Sequence, residues 1–102
     1  MKNFYLILTL LFTAIALAQE PKASGDIDGF TLYPNPVTNG KVYVNTAENA
    51  PKTVLIFDVL GTQVLQRKLI GSELSLSDLD AGVYILRVIE KDKVATRKLI
   101  IK

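Results

Sequence analysis

Cysteine, histidine and tryptophan are all missing from the 102 residues of this chain. The first absence removes the disulfides that usually staple small exported domains, the thiolate nucleophile, and any lipid attachment through a cysteine at a signal cleavage site. The fold must stand on packing alone. The second absence removes the side chain that most often shuttles protons near neutral pH. Carboxylates remain for acid–base chemistry, and the closest pair within a motif is Asp78 and Asp80. That pair falls in a short polar loop, where neither member gains the apolar burial that raises one pKa of a glycosidase pair. The sequence therefore points away from an enzyme, with no catalytic residue, cofactor or metal assigned.

An excess of one charge is missing too. Twelve bases stand against ten acids, too balanced to suggest nucleic acid or an anionic surface as the main partner. Lys2 is the one base ahead of residue 19, so a product starting there carries eleven bases, ten acids and a net charge of +1. Six of the eleven lie from Arg87 to Lys102, which reads first as solvated faces of terminal strands and second as a weak basic docking patch.

One long apolar run is present, over residues 4–17, broken only by Thr9 and Thr13. Lys2 and Asn3 precede it, and Ala16, Leu17 and Ala18 give a small-x-small pattern before Gln19. The run is shorter than the ~20 residues a helix needs to cross the hydrocarbon. It therefore predicts a cleavable signal peptide over 1–18, with cleavage residues Ala16, Ala18 and Gln19, export through the Sec translocon, and no permanent membrane span. A retained anchor is the alternative. The remaining 84 residues suffice for one small domain burying about 60–65% of its unfolded surface.

Residues 19–29 are polar and small, with Pro21, Ser24, Gly25 and Gly29, and read as a linker. Asp26, Ile27, Asp28 and Gly29 carry a fragment of calcium-loop spacing, but the later acidic ligand that closes such a loop is not there. Beyond Gly29 the signals are strand signals. Residues 30–33 form a short run stopped by Pro34, Asn35 and Pro36, whose fixed φ angles and missing amide donors forbid a continued ladder. Residues 41–46 alternate, with Val42 and Val44 on one face. Residues 53–58 are apolar on both sides, as in a central strand, and Asp58 to Gly61 reads as a hairpin turn. The return strand, 62–68, is expected to point Val64 inward.

Leu74 and Leu76 share a face in the next short strand. Residues 77–82 then predict one helical turn, capped by Ser77 and ended by Gly82 in a left-handed conformation, with Leu79 plugging the core edge. The longest strand follows, with Tyr84, Leu86 and Val88 on one face and Val83, Ile85, Arg87 and Ile89 on the other; Lys91 and Asp92 turn the chain into a last strand in which Ala95, Leu99 and Ile101 are in phase. Arg97 falls on that same face, so either a bulge shifts the register or it sits beyond the rim. The count predicts an all-β fold, an antiparallel immunoglobulin-like sandwich of about seven short strands, with a small open barrel as the alternative.

Four stretches then carry a resemblance: Leu32, Tyr33, Pro34, Asn35 and Pro36; Phe57, Asp58, Val59, Leu60 and Gly61 with Val64; Leu76, Ser77, Leu79, Ala81, Gly82, Val83 and Tyr84; and Lys98, Leu99, Ile100, Ile101 and Lys102. In this order, over residues 30–102, they resemble the type A C-terminal sorting domain of the type IX (Por) secretion system. The resemblance implies an immunoglobulin-like sandwich that directs proteins from the periplasm across the outer membrane to the medium or cell surface. It implies as partners the secretion machinery and a sortase-like cysteine protease that removes the domain at the preceding linker, here within residues 23–29. As sorting-motif residues it marks Tyr33, Pro34, Asn35, Pro36, Asp58, Gly61, Leu79, Gly82, Tyr84, Lys98, Leu99, Ile101 and Lys102. The last strand is expected at a sheet edge, offering unpaired amides to a receptor that adds a strand.

Members of that family usually carry a long cargo ahead of the domain, whereas residues 19–29 are all that separates signal from domain here. The sequence thus predicts a non-catalytic secretion-targeting domain nearly without cargo. The alternative is a stand-alone immunoglobulin-like surface binding or adhesion module.

Overall fold

The computed structural model describes residues 25–102; the expected signal peptide, with Ala16, Ala18 and Gln19, lies outside the described residues. Seven strands follow: β1 (Thr31–Tyr33), β2 (Lys41–Asn45), β3 (Lys52–Phe57), β4 (Gln63–Leu69), β5 (Glu73–Ser75), β6 (Gly82–Glu90) and β7 (Lys93–Ile101). They form two antiparallel sheets, ordered β1-β2-β5 and β4-β3-β6-β7, the expected sandwich. The chain crosses between sheets over residues 46–51, 70–72 and 76–81. Asn49 and Pro51 break strand pattern in the first crossing, and Ser77, Asp78 and Asp80 do so in the third.

Alternation builds the core. Val42 and Val44 of β2 and Leu74 of β5 face Val54 and Ile56 of β3, Leu86 and Val88 of β6, and Ala95 and Leu99 of β7, all buried. Each large aliphatic group fully removed from water contributes roughly 1.5–3 kcal/mol. The opposite face of β3 bears Leu55 and Phe57, both half-buried, so its apolar double-sidedness reflects a central position with an incompletely covered outer face.

Strand directions define two ends. At one end lie Thr46, Lys52 and Glu90, where β2 hands over to β3 and β6 turns into β7. At the other lie the loop 34–40, the β3–β4 turn, the crossing 76–81 and Lys102, because Phe57 pairs with Ile85, Gly82 with Ile101, and Lys41 with Ser75. At the Glu90 end, the Lys52 ammonium, wholly buried, lies 3.3 Å from the Glu90 carboxylate and donates to the Ala50 carbonyl at 2.8 Å. The same carboxylate oxygen accepts from the Thr46 hydroxyl at 2.7 Å and the Ala50 N–H at 3.2 Å. Every buried side-chain polar atom among the described residues has a partner, which makes such a cluster tolerable in the interior.

Four sequence expectations are corrected. Val64 is exposed and Leu65 is buried in its place, because β4 bulges opposite Ile56 and Phe57, where Val64 is the extra residue between Gln63 and Leu65 and reverses the local alternation. Residues 77–79 form a plain turn, closed by the Leu79 N–H on the Leu76 carbonyl at 3.0 Å. Ser77 caps no helix there and instead meets the Ser75 hydroxyl at 3.1 Å. Gly82 is the first residue of β6 and has no left-handed φ. The segment 25–29, assigned from sequence to the linker, packs on the sandwich: Ile27 is 5% exposed in the core, and the Gly25 carbonyl accepts from Val94 N–H. Arg97 needs no bulge, since β6 and β7 pair in unbroken register. It sits at the rim, its guanidinium 4.7 Å from the Phe30 ring centroid and 3.0 Å from Asp26.

Candidate functional site at the carboxy-terminal end

Two prolines end β1, and both the Tyr33–Pro34 and Asn35–Pro36 bonds are cis. Between them, Asn35 turns its side chain to the outer edge of β7. Its amide nitrogen donates to the Lys98 carbonyl at 2.8 Å, and its amide oxygen accepts from the Ile100 N–H at 3.0 Å. A carboxamide has the same donor and acceptor as a peptide unit, so Asn35 occupies the place of a neighbouring strand residue. Two residues later Val37 continues the pairing with its own backbone. It donates to the Ile100 carbonyl at 2.7 Å and accepts from the Lys102 N–H at 2.9 Å, forming a parallel bridge to Ile101.

The Val37 side chain is fully buried, which anchors this clamp in the core. β7 is therefore an edge strand, as expected, but its carboxy-terminal edge is already covered. That corrects the expectation of free amides there: a receptor adding a strand at residues 98–102 would first have to displace Asn35 and Val37.

The other sorting-motif residues shape the same end. The Asp58 carboxylate accepts from the Leu60 and Thr62 N–H groups, each at 2.9 Å, and Gly61, at φ +86°, takes the left-handed conformation that closes the turn. The turn leaves Leu60 88% exposed. Tyr84 is buried with its hydroxyl donating to the Asp80 carbonyl at 2.7 Å, fixing the 76–81 crossing as the tyrosine corner does in immunoglobulin-type domains. Leu79 packs against the core edge, where the sequence puts it. Tyr33 stacks on Tyr43 with centroids 5.5 Å apart and accepts from the Asn45 amide at 2.9 Å.

The structure thus joins the first and last motifs directly, through Asn35 and β7. Asp58 and Gly61 lie at the same end but hold a separate turn by hydrogen bonds internal to it. Leu99 and Ile101 are core residues, while the Lys98 and Lys102 side chains are exposed. Val37 was missed by sequence reasoning, although an isolated valine in a polar loop directly after Pro36 is a signal that could have found it.

The described residues thus form a two-sheet antiparallel sandwich whose final strand is clamped by a proline-flanked asparagine. The family model for the secretion system C-terminal sorting domain matches residues 31–102, and the chain belongs to that family. Membership implies interaction with the type IX secretion machinery and a secreted or cell-surface protein. Among the described residues, no helix is long and apolar enough to cross a membrane. No curated protein matched the sequence. Among solved structures, the chain is similar to PorZ, an essential bacterial surface component of the type IX secretion system of Porphyromonas gingivalis. The TM-score is 0.57 and the identity 21%, over 72% of this chain and 11% of that one, a likeness of fold that spans a small part of PorZ.

Proposed function

We propose that the folded unit is a non-catalytic export signal, presented by the Lys102 end of the sandwich to the outer-membrane type IX machinery. The observation that carries this reading is the clamp: Asn35 and β7, more than sixty positions apart in sequence, share two side-chain hydrogen bonds, so the first and last motifs act as one surface. The exposed Lys98 and Lys102 side chains lie beside it, and the 58–61 turn lies at the same end of the sandwich. A signal peptide over 1–18 delivers the chain to the periplasm through the Sec translocon. The sortase-like protease cuts ahead of Gly25, because a protease needs extended, accessible backbone and residues 25–28 are hydrogen-bonded or packed. The folded unit accordingly includes residues 25–29.

The test fuses residues 25–102 behind a signal peptide and a neutral reporter in a type IX-competent cell. Export is expected, and Lys98→Glu with Lys102→Glu should reduce it while leaving the melting temperature nearly unchanged, since exposed charge reversals rarely unfold a domain. Full export of that variant would move the recognition surface away from the carboxy terminus. A fusion starting at residue 30 loses Ile27 from the core and should be exported less.

A further inference from the structure

The near-neutral total charge conceals a segregated face. Of the ten cations among the described residues, Lys41, Lys52, Arg67, Lys91, Lys93 and Arg97 each have an acidic partner within 4 Å. The remaining four are Lys68, Arg87, Lys98 and Lys102, which form no ion pair among the described residues. Register places the first three on the outward side of the four-stranded sheet. Lys68 lies opposite Thr53, Arg87 opposite Leu55, and Lys98 opposite Ile85. They make a diagonal from β4 through β6 to β7, and Lys102 extends it past the end of β7. No Asp or Glu occupies an outward position on these four strands.

Between the cations the same face carries Leu55, Phe57, Val83, Ile85 and Ile89, all half-buried or exposed. Phe57 pairs directly with Ile85, and Arg87 stands between Ile85 and Ile89 on its own strand. The outer face of the smaller sheet differs, since its Lys41 is paired with Glu73 at 3.0 Å.

We infer that the outer face of the four-stranded sheet is a docking surface for an anionic lipid surface. Charge complementarity selects an anionic occupant, and a second copy of this face would set cations against cations. The interleaving selects lipid over an acidic protein. A protein would have to present carboxylates at fixed points along the diagonal, whereas lipid headgroups move to meet each cation. The apolar side chains and the aliphatic stems of Lys and Arg then rest at the headgroup boundary.

The full chain is tested for co-sedimentation with vesicles of phosphatidylcholine alone and of phosphatidylcholine with about one-third phosphatidylglycerol, at low and high salt. Residues 1–18 are common to every variant, so differences report the face. The anionic vesicles should bind more protein, in a salt-sensitive way. Lys68→Gln with Arg87→Gln should lower that partition about 25-fold, at about fivefold per cation. Lys41→Gln with Lys91→Gln removes the same charge elsewhere and should stay within about threefold. Equal binding to both vesicle types, or equal losses in the two double variants, overturns the inference. On the unmodified chain, spin-labelled anionic vesicles should broaden the NMR signals of Leu55 and Ile85 and spare Tyr43; the reverse pattern overturns it as well.

Discussion

The two ends of the sandwich are held by different chemistry. At the Glu90 end, a carboxylate and an ammonium are withdrawn from water and surrounded by Thr46 and Ala50. At the Lys102 end, neutral amides do the work, and Asn35 stands in for a strand at an edge exposed to solvent. A buried ion pair tolerates no missing partner, so it locks the β2–β3 crossing at one geometry. A clamp of neutral hydrogen bonds costs little to loosen locally. Losing one partner at the first end is therefore the costlier break, whereas the hydrogen bonds of Asn35 at the second can open locally while Val37 stays in the core.

The largest break in that comparison is Glu90→Ala. It leaves the Lys52 ammonium buried without its counter-charge and should cost about 3–5 kcal/mol of unfolding free energy in chemical denaturation. Replacing both partners, Lys52→Met with Glu90→Leu, should recover most of the loss, because two apolar groups carry no desolvation penalty. A loss below about 1 kcal/mol for Glu90→Ala would mean that water reaches the pair.

Glycines sharpen the contrast. Gly29 has φ +67°, and a Cβ there would lie 2.9 Å from the backbone nitrogen of Ala47. Gly29→Ala should therefore destabilise by about 1–3 kcal/mol. At the opposite end, a Cβ on Gly82 would meet only the Tyr84 ring, at an ordinary 3.7 Å. Gly82→Ala should stay within about 0.5 kcal/mol of the parent. Similar melting temperatures for the two variants would erase the difference between the ends.

The clamp itself is broken by Asn35→Ala, expected to cost about 1–2 kcal/mol for two exposed hydrogen bonds. Native-state hydrogen exchange is the sharper measurement. The Ile100 amide, whose acceptor is the Asn35 side-chain oxygen, should lose protection in Asn35→Ala and keep much of it in Asn35→Asp, which retains an acceptor. Unchanged protection in Asn35→Ala would show that the side chain adds nothing to the edge.

Strand positions were legible because alternation carries them: Val42 with Val44, Leu74 with Leu76, and Tyr84 with Leu86 and Val88 are all buried as patterned. Errors arose where one residue breaks the period or a tertiary contact overrides local preference. The bulge at Val64, opposite Ile56 and Phe57, hid Leu65 behind it. Turn chemistry suggested a cap at Ser77, but the Leu79 N–H closes on the Leu76 carbonyl in a plain turn and Ser77 meets Ser75 instead. Residues 25–29 have linker composition, and only the sheet-end surface that receives Ile27 and Asp28 turns them into structure. Of the site, the motif residues were readable, but their joining was not, because a side-chain amide replacing a backbone partner leaves no periodic trace. The cationic diagonal was equally hidden, since register and not sequence order aligns Lys68, Arg87 and Lys98.

The smallest expected effect tests how firmly that docked segment is tied down. The Asp26 carboxylate accepts from the Arg97 guanidinium at 3.0 Å and from the Ile27 N–H at 2.8 Å. Hydrogen bonding to Arg97 first, and to the backbone second, holds its carboxyl below its usual pKa. A carboxyl depressed in the folded state stabilises the fold above its unfolded pKa and loses that contribution as pH falls through the folded value. The window thus lies below about pH 4. Both partners are solvent-exposed, so the effect on melting is slight. NMR titration should nonetheless show the Asp26 midpoint below that of an ordinary aspartate and returning to normal in Arg97→Gln. An unshifted midpoint in the parent would mean that Ile27, and not the rim ion pair, holds residues 25–29 on the sandwich.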